Sequence, residues 1–217
     1  MRDRGAVFVY EDVRIRKRNK LPHWHARCGL YFLTYRLGDA LPVQHQQRIE
    51  NAVSYERKRL FCEGVRGREL EEAVARFAFK RTQPVLDRSY GACVLGRDVC
   101  ASVVADVWQI GAGKVHDPIS WTVMPNHAHI VTRLLGNADV SDVVKAWKST
   151  STREINRLLL RRGPLWQDDY FDVLIRDERQ LRSTVQYVLD NPAKAGLVDW
   201  KWVEADPAAL HRTIDGR

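Results

Sequence analysis

Apolar residues alternate or recur at helical spacing along most of this chain, and the pattern divides it into strands and helices. Residues 30–36 combine aromatic and β-branched side chains, which predicts a first strand. Residues 43–79 carry apolar positions at helical spacing with a break at 64–67, and residues 97–110 predict a further helix. A long helical region therefore follows the first strand.

The second half of the chain returns to strands. Residues 119–124 and 127–134 predict two strands joined by a tight turn, and residues 166–176 alternate as another strand. Between them, Ser141 is the expected cap of a helix that reaches residue 162. The order is strand, helices, strand, strand, helix, strand.

A last helix opens at Asp177 and is expected to stop near Asn191, because the residue before Pro192 is pushed out of the helical region. This order predicts an α+β fold with a ferredoxin-like β-α-β-β-α-β antiparallel sheet, a helical insertion and an added C-terminal helix. We expect a single domain over residues 21–217, preceded by a basic flexible arm at residues 1–20.

The charge of the chain favours a polyanionic partner. Its 35 Lys and Arg exceed its 27 Asp and Glu, for a formal net charge of +8, and nucleic acid is the first such partner to consider. The arm is either a solvated tail or a segment that gathers phosphates. The cationic residues of the arm that we expect to contact DNA are Arg14, Arg16, Lys17 and Arg18.

The remaining composition indicates a cytoplasmic protein. The four cysteines show no C-x-x-C spacing and are expected to be reduced thiols. The N-terminus is charged from Arg2 onward, and no apolar run approaches the roughly 20 residues of a membrane span.

A histidine pair is the first candidate for chemistry. In a strand, residues two apart point to one face, so His127 and His129 could hold one divalent ion while Ala128 points into the core. A second pair, His23 and His25, lies in a basic, proline-containing segment, and we interpret it as a surface pair.

A helix further along offers two more groups. Tyr187 and Asn191 are four residues apart and therefore neighbours on a helix surface. An Asn191 oxygen with two histidine nitrogens suits Mn²⁺, and also Mg²⁺ if water completes the shell. The alternative for Asn191 is an ordinary helix end before proline.

Tyr187 is the candidate nucleophile. A free phenol has a pKa near 10 and is a weak attacker at neutral pH, so it needs a metal ion that polarises the phosphate. The rival is Tyr170, which lies on a predicted strand, and we expect it to be structural or to contact substrate.

Three ordered segments carry these residues. They are Met124-Pro-Asn-His-Ala-His129, Trp166-Gln-Asp-Asp-Tyr-Phe-Asp-Val-Leu-Ile-Arg-Asp-Glu178 and Tyr187-Val-Leu-Asp-Asn-Pro-Ala-Lys-Ala-Gly-Leu197. Together they resemble the single-tyrosine HUH transposases, in the branch of the REP-associated tyrosine transposases. The likeness extends from about residue 21 to about residue 202, nearly the whole chain.

The resemblance implies that His127 and His129 are the HUH metal ligands, Asn191 the third ligand and Tyr187 the nucleophile. It implies cleavage of single-stranded DNA near a hairpin, which leaves a 5′-phosphotyrosine and a free 3′ hydroxyl. The chain departs from the family at Ala128, where a bulky apolar residue is usual, and at Val173, where a polar residue or histidine is common. Neither departure removes a chemical group from the expected site.

Two other functions stay open. The chain could be a catalytically silent nucleic-acid-binding protein of the same fold, or a metal-dependent phosphohydrolase in which water attacks. For the leading function we expect a hairpin-containing single strand as partner, a nucleoid-associated location, and a monomer or homodimer. Arg176 and Lys194 flank the last helix as further candidate DNA contacts.

Overall fold

The computed structural model describes residues 7–18 and 21–215, of which residues 16–18 and 21–22 are described by their backbone alone. The strands of this part are β1 (Arg14–Arg18), β2 (Leu21–His25), β3 (Leu30–Arg36), β4 (His116–Val123), β5 (His127–Leu134), β6 (Phe171–Leu174) and β7 (Val203–Ala205). The helices are α1 (Val43–Cys62), α2 (Gly67–Leu86), α3 (Asp98–Ile110), α4 (Val140–Leu158), α5 (Glu178–Lys194) and α6 (Pro207–Asp215).

The main sheet has five antiparallel strands in the order β6-β3-β5-β4-β7. Its first four strands follow the ferredoxin-like order, in which the first and third strands of the motif pair at the centre. α3 and α4 pack against each other, α1 and α2 form the expected insertion, and α5 packs on β4 and β5. The predicted α+β ferredoxin-like fold is confirmed.

The central strand β5 separates two cores. Ala128 and Ile130 are fully buried in the larger core, with Trp108 of α3 and Trp147 of α4. Val131 lies in the smaller core with residues of α5. The two histidines of β5 therefore face the α5 side of the sheet, because strand side chains alternate.

Several predicted boundaries were wrong, among them the end of α4, which lies at Leu158 rather than near residue 162. The carboxylate of Asp139, not Ser141, caps α4, because its Oδ1 accepts the backbone N–H of Ser141 at 2.8 Å. β6 is limited to Phe171–Leu174, since Lys148 holds the carbonyls of residues 167–169 in a loop.

A further correction concerns the end of α5. The helix continues through Pro192 to Lys194, and the N–H groups of Ala195 and Leu197 bond to the carbonyls of Asn191 and Pro192. A proline near a helix end removes one hydrogen bond, and the capped last turn compensates for it. Asn191 therefore lies inside the helix.

The N-terminal segment lies on the domain from Val7 onward. The backbone N–H of Phe8 donates to the carbonyl of Arg176 at 2.7 Å, and the Tyr10 hydroxyl donates to the carbonyl of Ile175. β1 pairs with β2, so residues 14–18 of the expected arm form one strand of a two-stranded sheet. Residues 1–6 and 19–20 of the predicted arm lie outside the described residues.

The C-terminal part of the chain adds two elements that the sequence pattern did not predict. β7 pairs with β4 at the sheet edge, and α6 packs close to β4. No helix in residues 7–18 and 21–215 is both long and apolar enough to cross a membrane.

Candidate active site

The first two residues of the site stand at the start of β5. His127 and His129 are fully buried, and their ring centroids lie 4.8 Å apart. The turn at Pro125 and Asn126 precedes them, so the alternating strand places both imidazoles on one face.

Hydrogen bonds around His127 determine which ring nitrogen is free. Asn126 donates its side-chain NH₂ group to the carbonyls of Leu86 and Tyr90 at 3.2 and 3.1 Å, so its Oδ1 faces the ring. That oxygen lies 2.7 Å from Nδ1 of His127, which therefore carries the proton. Nε2 keeps a lone pair, as in imidazoles that bind a metal ion.

His129 is oriented in a similar way. Its Nδ1 lies 2.7 Å from the hydroxyl oxygen of Thr34 on β3. Burial lowers the pKa of His127 to about 3 and holds the pKa of His129 well below its usual value. Both rings are therefore neutral near pH 7 and available as ligands.

Helix α5 brings Tyr187 and Asn191 to these imidazoles. The Tyr187 ring centroid lies 5.7 Å from that of His129, and Asn191 is 1% exposed. Asn191 is close enough to His127 and Tyr187 to shift the pKa of each. The Tyr187 hydroxyl and the Asn191 Oδ1 are buried polar atoms without a hydrogen-bond partner. Helix spacing makes Tyr187 and Asn191 neighbours, and the packing of α5 on the sheet brings both to the histidine pair.

Tyr187 is a neutral phenol in this environment. Burial is the largest cause that raises its pKa above 10, the nearby charge of Asp87 raises it further, and Asn191 lowers it. The phenol thus needs a positive charge nearby before it can attack at neutral pH.

The donor set fits a divalent ion. No cluster of three or more His, Cys, Asp or Glu side chains suited to a metal occurs in the described part of the chain. A third protein ligand beside His127 and His129 must therefore be another group, and the unpartnered amide oxygen of Asn191 is suitable. Two nitrogens and an amide oxygen suit Mn²⁺, and Mg²⁺ with added water.

Residues from the helical insertion also reach the site and were not expected from the sequence. Gln83 of α2 places its amide nitrogen 3.1 Å from Nε2 of His127 and 3.2 Å from Nε2 of His129. Asp87 follows at the end of α2 and accepts from the same nitrogen at 3.0 Å. No local pattern marks Gln83, because its role depends on how α2 packs on the sheet.

A cavity of about 800 Å³ opens beside these groups. It lies between α1, α2, β3 and residues 167–171, and Thr34, Arg36 and Gln83 are among its lining residues. Thr34 and Gln83 contact the histidine pair, so the cavity lies next to the candidate site.

The candidate DNA contacts have different surroundings. Arg176 forms a salt bridge with Glu72 and lies 5.2 Å from the ring of Trp24, so its contacts hold the domain together. Lys194 is about half exposed and lies 5.1 Å from the Tyr187 ring centroid, close to the proposed chemistry. Arg14 is exposed. The side chains of Arg16, Lys17 and Arg18 lie outside the described residues.

The surface interpretation of His23 was wrong. Its side chain is 3% exposed, with ring nitrogens 2.6 Å from Asp172 and 2.9 Å from Asp169. Tyr170 stacks on it at 4.3 Å, and its hydroxyl lies 3.1 Å from that of Ser141. Alternating β2 turns His23 inward, so this group joins β2 to β6.

This buried group predicts a pH dependence of stability. Burial lowers the pKa of His23, but the hydrogen bonds to Asp169 and Asp172 outweigh it and raise the pKa to about 9. A raised pKa stabilises the fold fully below the unfolded value near 6.5, and this contribution is lost as pH rises through about 9. We expect the melting temperature to fall across this window in the wild type. His23→Gln should have a lower melting temperature that does not fall across this pH window. Melting temperatures of the wild type and the variant that change in parallel with pH would contradict the role of His23.

Known proteins resemble this chain in the region that contains the candidate site. Residues 89–191, which contain all four candidate site residues, match the family model described as "Transposase IS200 like". A Haemophilus influenzae protein named as a REP-associated tyrosine transposase is 27% identical over 112 residues, which cover 45% of this chain. The match spans 61% of that relative's length, less than two thirds.

Two solved structures are also similar. One is described as a REP-associated tyrosine transposase bound to a REP hairpin, at 14% identity and a TM-score of 0.47, covering 83% of this chain and 79% of the other. A transposase from Deinococcus radiodurans R1 has 14% identity and a TM-score of 0.31, covering 75% and 89%. The family match agrees with the resemblance that the three motifs indicated: residues 89–191 of this chain are similar to the IS200-like transposases.

Proposed function

We propose that this protein cleaves and rejoins single-stranded DNA through a covalent bond between Tyr187 and a 5′ phosphate. The observation that carries this proposal is the convergence of two neutral imidazoles, a buried amide and a buried phenol. The Nε2 atoms of His127 and His129 approach one point, and α5 adds Asn191 and Tyr187 beside it.

Each side chain has a defined part in this proposal. His127, His129 and Asn191 hold the divalent ion, Mg²⁺ or Mn²⁺, which polarises the scissile phosphate when bound. Tyr187 gives its proton to solvent and its phenol oxygen bonds to the phosphorus, while the bond from phosphorus to the 3′ oxygen breaks. The 3′ oxygen takes a proton from solvent and leaves as a free 3′ hydroxyl. Lys194, near the Tyr187 ring, favours the negative charge that develops on the phenol oxygen. Attack by a 3′ hydroxyl reverses the step without ATP.

The substrate class follows from charge and from the family. The net charge of +8 favours a polyphosphate, and the Haemophilus influenzae relative is named for its association with REP elements. We propose that the substrate is a single strand that contains a hairpin, cleaved in the unpaired flank. An unpaired flank can enter the cavity beside Gln83 more readily than a regular duplex can.

A denaturing gel tests the proposal against both alternatives. Full-length protein is incubated with an end-labelled single-stranded hairpin from the DNA that flanks the gene, with Mn²⁺ or Mg²⁺. A shifted, protease-sensitive band is expected for the covalent intermediate. Binding without cleavage would indicate the silent binding protein, and multiple turnover without an adduct would indicate a phosphohydrolase.

The electrostatic part of the proposal predicts a strong salt dependence of binding. Each neutralised phosphate contributes about 0.7 to the slope of log affinity against log salt for a single strand. Changing Arg14, Arg16, Lys17 and Arg18 to glutamine should weaken binding and flatten this slope. Deletion of residues 1–20 is a poorer test, because it also removes the packing of Phe8 and Tyr10.

Arg59→Gln is the matched control, because Arg59 is held by Glu56 and Glu63 on α1 and should leave the slope unchanged. Affinity is measured by fluorescence anisotropy with the hairpin strand and with a fully paired duplex. Equal affinity for the duplex, or binding that salt does not change, would contradict the proposed substrate.

A further inference from the structure

The side-chain amide of Gln83 is poorly matched to its surroundings as a hydrogen-bonding group. Its nitrogen lies 3.1 Å from Nε2 of His127, 3.2 Å from Nε2 of His129 and 3.0 Å from the carboxylate of Asp87. An NH₂ group has two hydrogens and cannot donate to all three, and a proton on Nε2 of His129 would point at these hydrogens. The Oε1 atom of the same amide is buried without a partner.

The position of the amide matches that of a metal ligand. Two neighbouring ligands about 2.1 Å from an octahedral ion are about 3.0 Å apart, and about 3.4 Å apart around a tetrahedral one. The separations of 3.1 and 3.2 Å between the Gln83 nitrogen and the two imidazoles lie in this interval. An oxygen in that position could share one ion with both histidines.

A half-turn of the amide supplies that oxygen. Rotation about the last side-chain bond exchanges Nε2 and Oε1, so the oxygen would face His127 and His129. Three lone pairs then converge without a hydrogen between them, which is unfavourable unless a cation lies there. The Asp87 carboxylate adds negative charge next to the same point.

We propose that Gln83 is a further protein ligand of the divalent ion, bound through Oε1 after this half-turn. This proposal rests on the metal site of the proposed function and extends its ligand set to the helical insertion. Gln83 is 7% exposed and comes from α2, whereas the other ligands come from β5 and α5. Metal binding would then join α2 to the catalytic helix through one ion.

Calorimetric titration of the full-length protein with MnCl₂, without DNA, tests the ligand role. Gln83→Leu removes the amide, and we expect a loss of Mn²⁺ affinity of about tenfold to a hundredfold. Gln83→Glu keeps the length and adds a charge, so we expect tighter Mn²⁺ binding than in the wild type. Gln109→Leu makes the same change at an exposed site on α3 and should bind as the wild type does.

The results for the Gln83 variants and for His127→Ala distinguish failure of the Gln83 ligand role from failure of the metal site itself. Wild-type affinity in Gln83→Leu would overturn the ligand role. Tighter binding would also overturn it, and would mean that the amide competes with the ion. If Gln83→Leu fails to fold by circular dichroism, unchanged or weaker affinity in Gln83→Glu is the overturning result. If the wild type and His127→Ala give the same heats, the metal site itself fails, and the inference fails with it.

Discussion

Replacing Tyr187 with phenylalanine should abolish the covalent protein–DNA adduct and leave hairpin binding close to that of the wild type. The change removes one oxygen, the proposed nucleophile, so adduct formation should fall by about a thousandfold or more. The fold should tolerate the change, because this hydroxyl is buried without a partner while the ring packs near Phe32 and Phe79. We expect stability to be unchanged or raised by up to about 1 kcal/mol.

The adduct is measured on denaturing gels, and binding is measured by anisotropy on the same hairpin strand. Tyr170→Phe is the matched control, since its hydroxyl contacts Ser141 rather than the histidine pair, and it should still form an adduct. An adduct that persists in Tyr187→Phe would refute the assignment of the nucleophile and direct attention to Tyr170.

Replacing His127 or His129 with alanine should remove cleavage that depends on Mn²⁺ or Mg²⁺. Each change deletes one of the two Nε2 atoms proposed as metal ligands. Mn²⁺ affinity measured by calorimetry should therefore fall by at least about a hundredfold. Both side chains are fully buried, so each variant also leaves a cavity and should lose about 1–3 kcal/mol of stability.

His211→Ala is the control for these variants, since His211 is exposed on α6. Near-ultraviolet circular dichroism identifies variants that retain the fold, and only those are compared for metal binding and cleavage. Undiminished metal-dependent cleavage by a folded His127→Ala protein would rule out the proposed ligand set.

Local sequence patterns were sufficient to predict the features that depend on the periodicity of a single strand or helix. The aromatic and β-branched residues of 30–36 and the strand predicted at 127–134 gave β3 and β5 with their observed bounds. Strand geometry placed His127 and His129 on one face, and the four-residue spacing of a helix made Tyr187 and Asn191 neighbours. These relations need only backbone geometry, which acts over a few residues.

Tertiary packing decided the contacts between side chains that lie far apart in the sequence. The inward orientation of His23 depends on Asp169 and Asp172, which lie nearly 150 residues away along the chain. The approach of Gln83 to the histidine pair depends on how the helical insertion docks on the sheet. The continuation of α5 past Pro192 depends on its capped last turn. The sequence by itself determined most of the elements and the fold plan, and it indicated the four candidate site residues. The tertiary structure alone decided which distant side chains surround them, because such contacts form only when separate elements pack together.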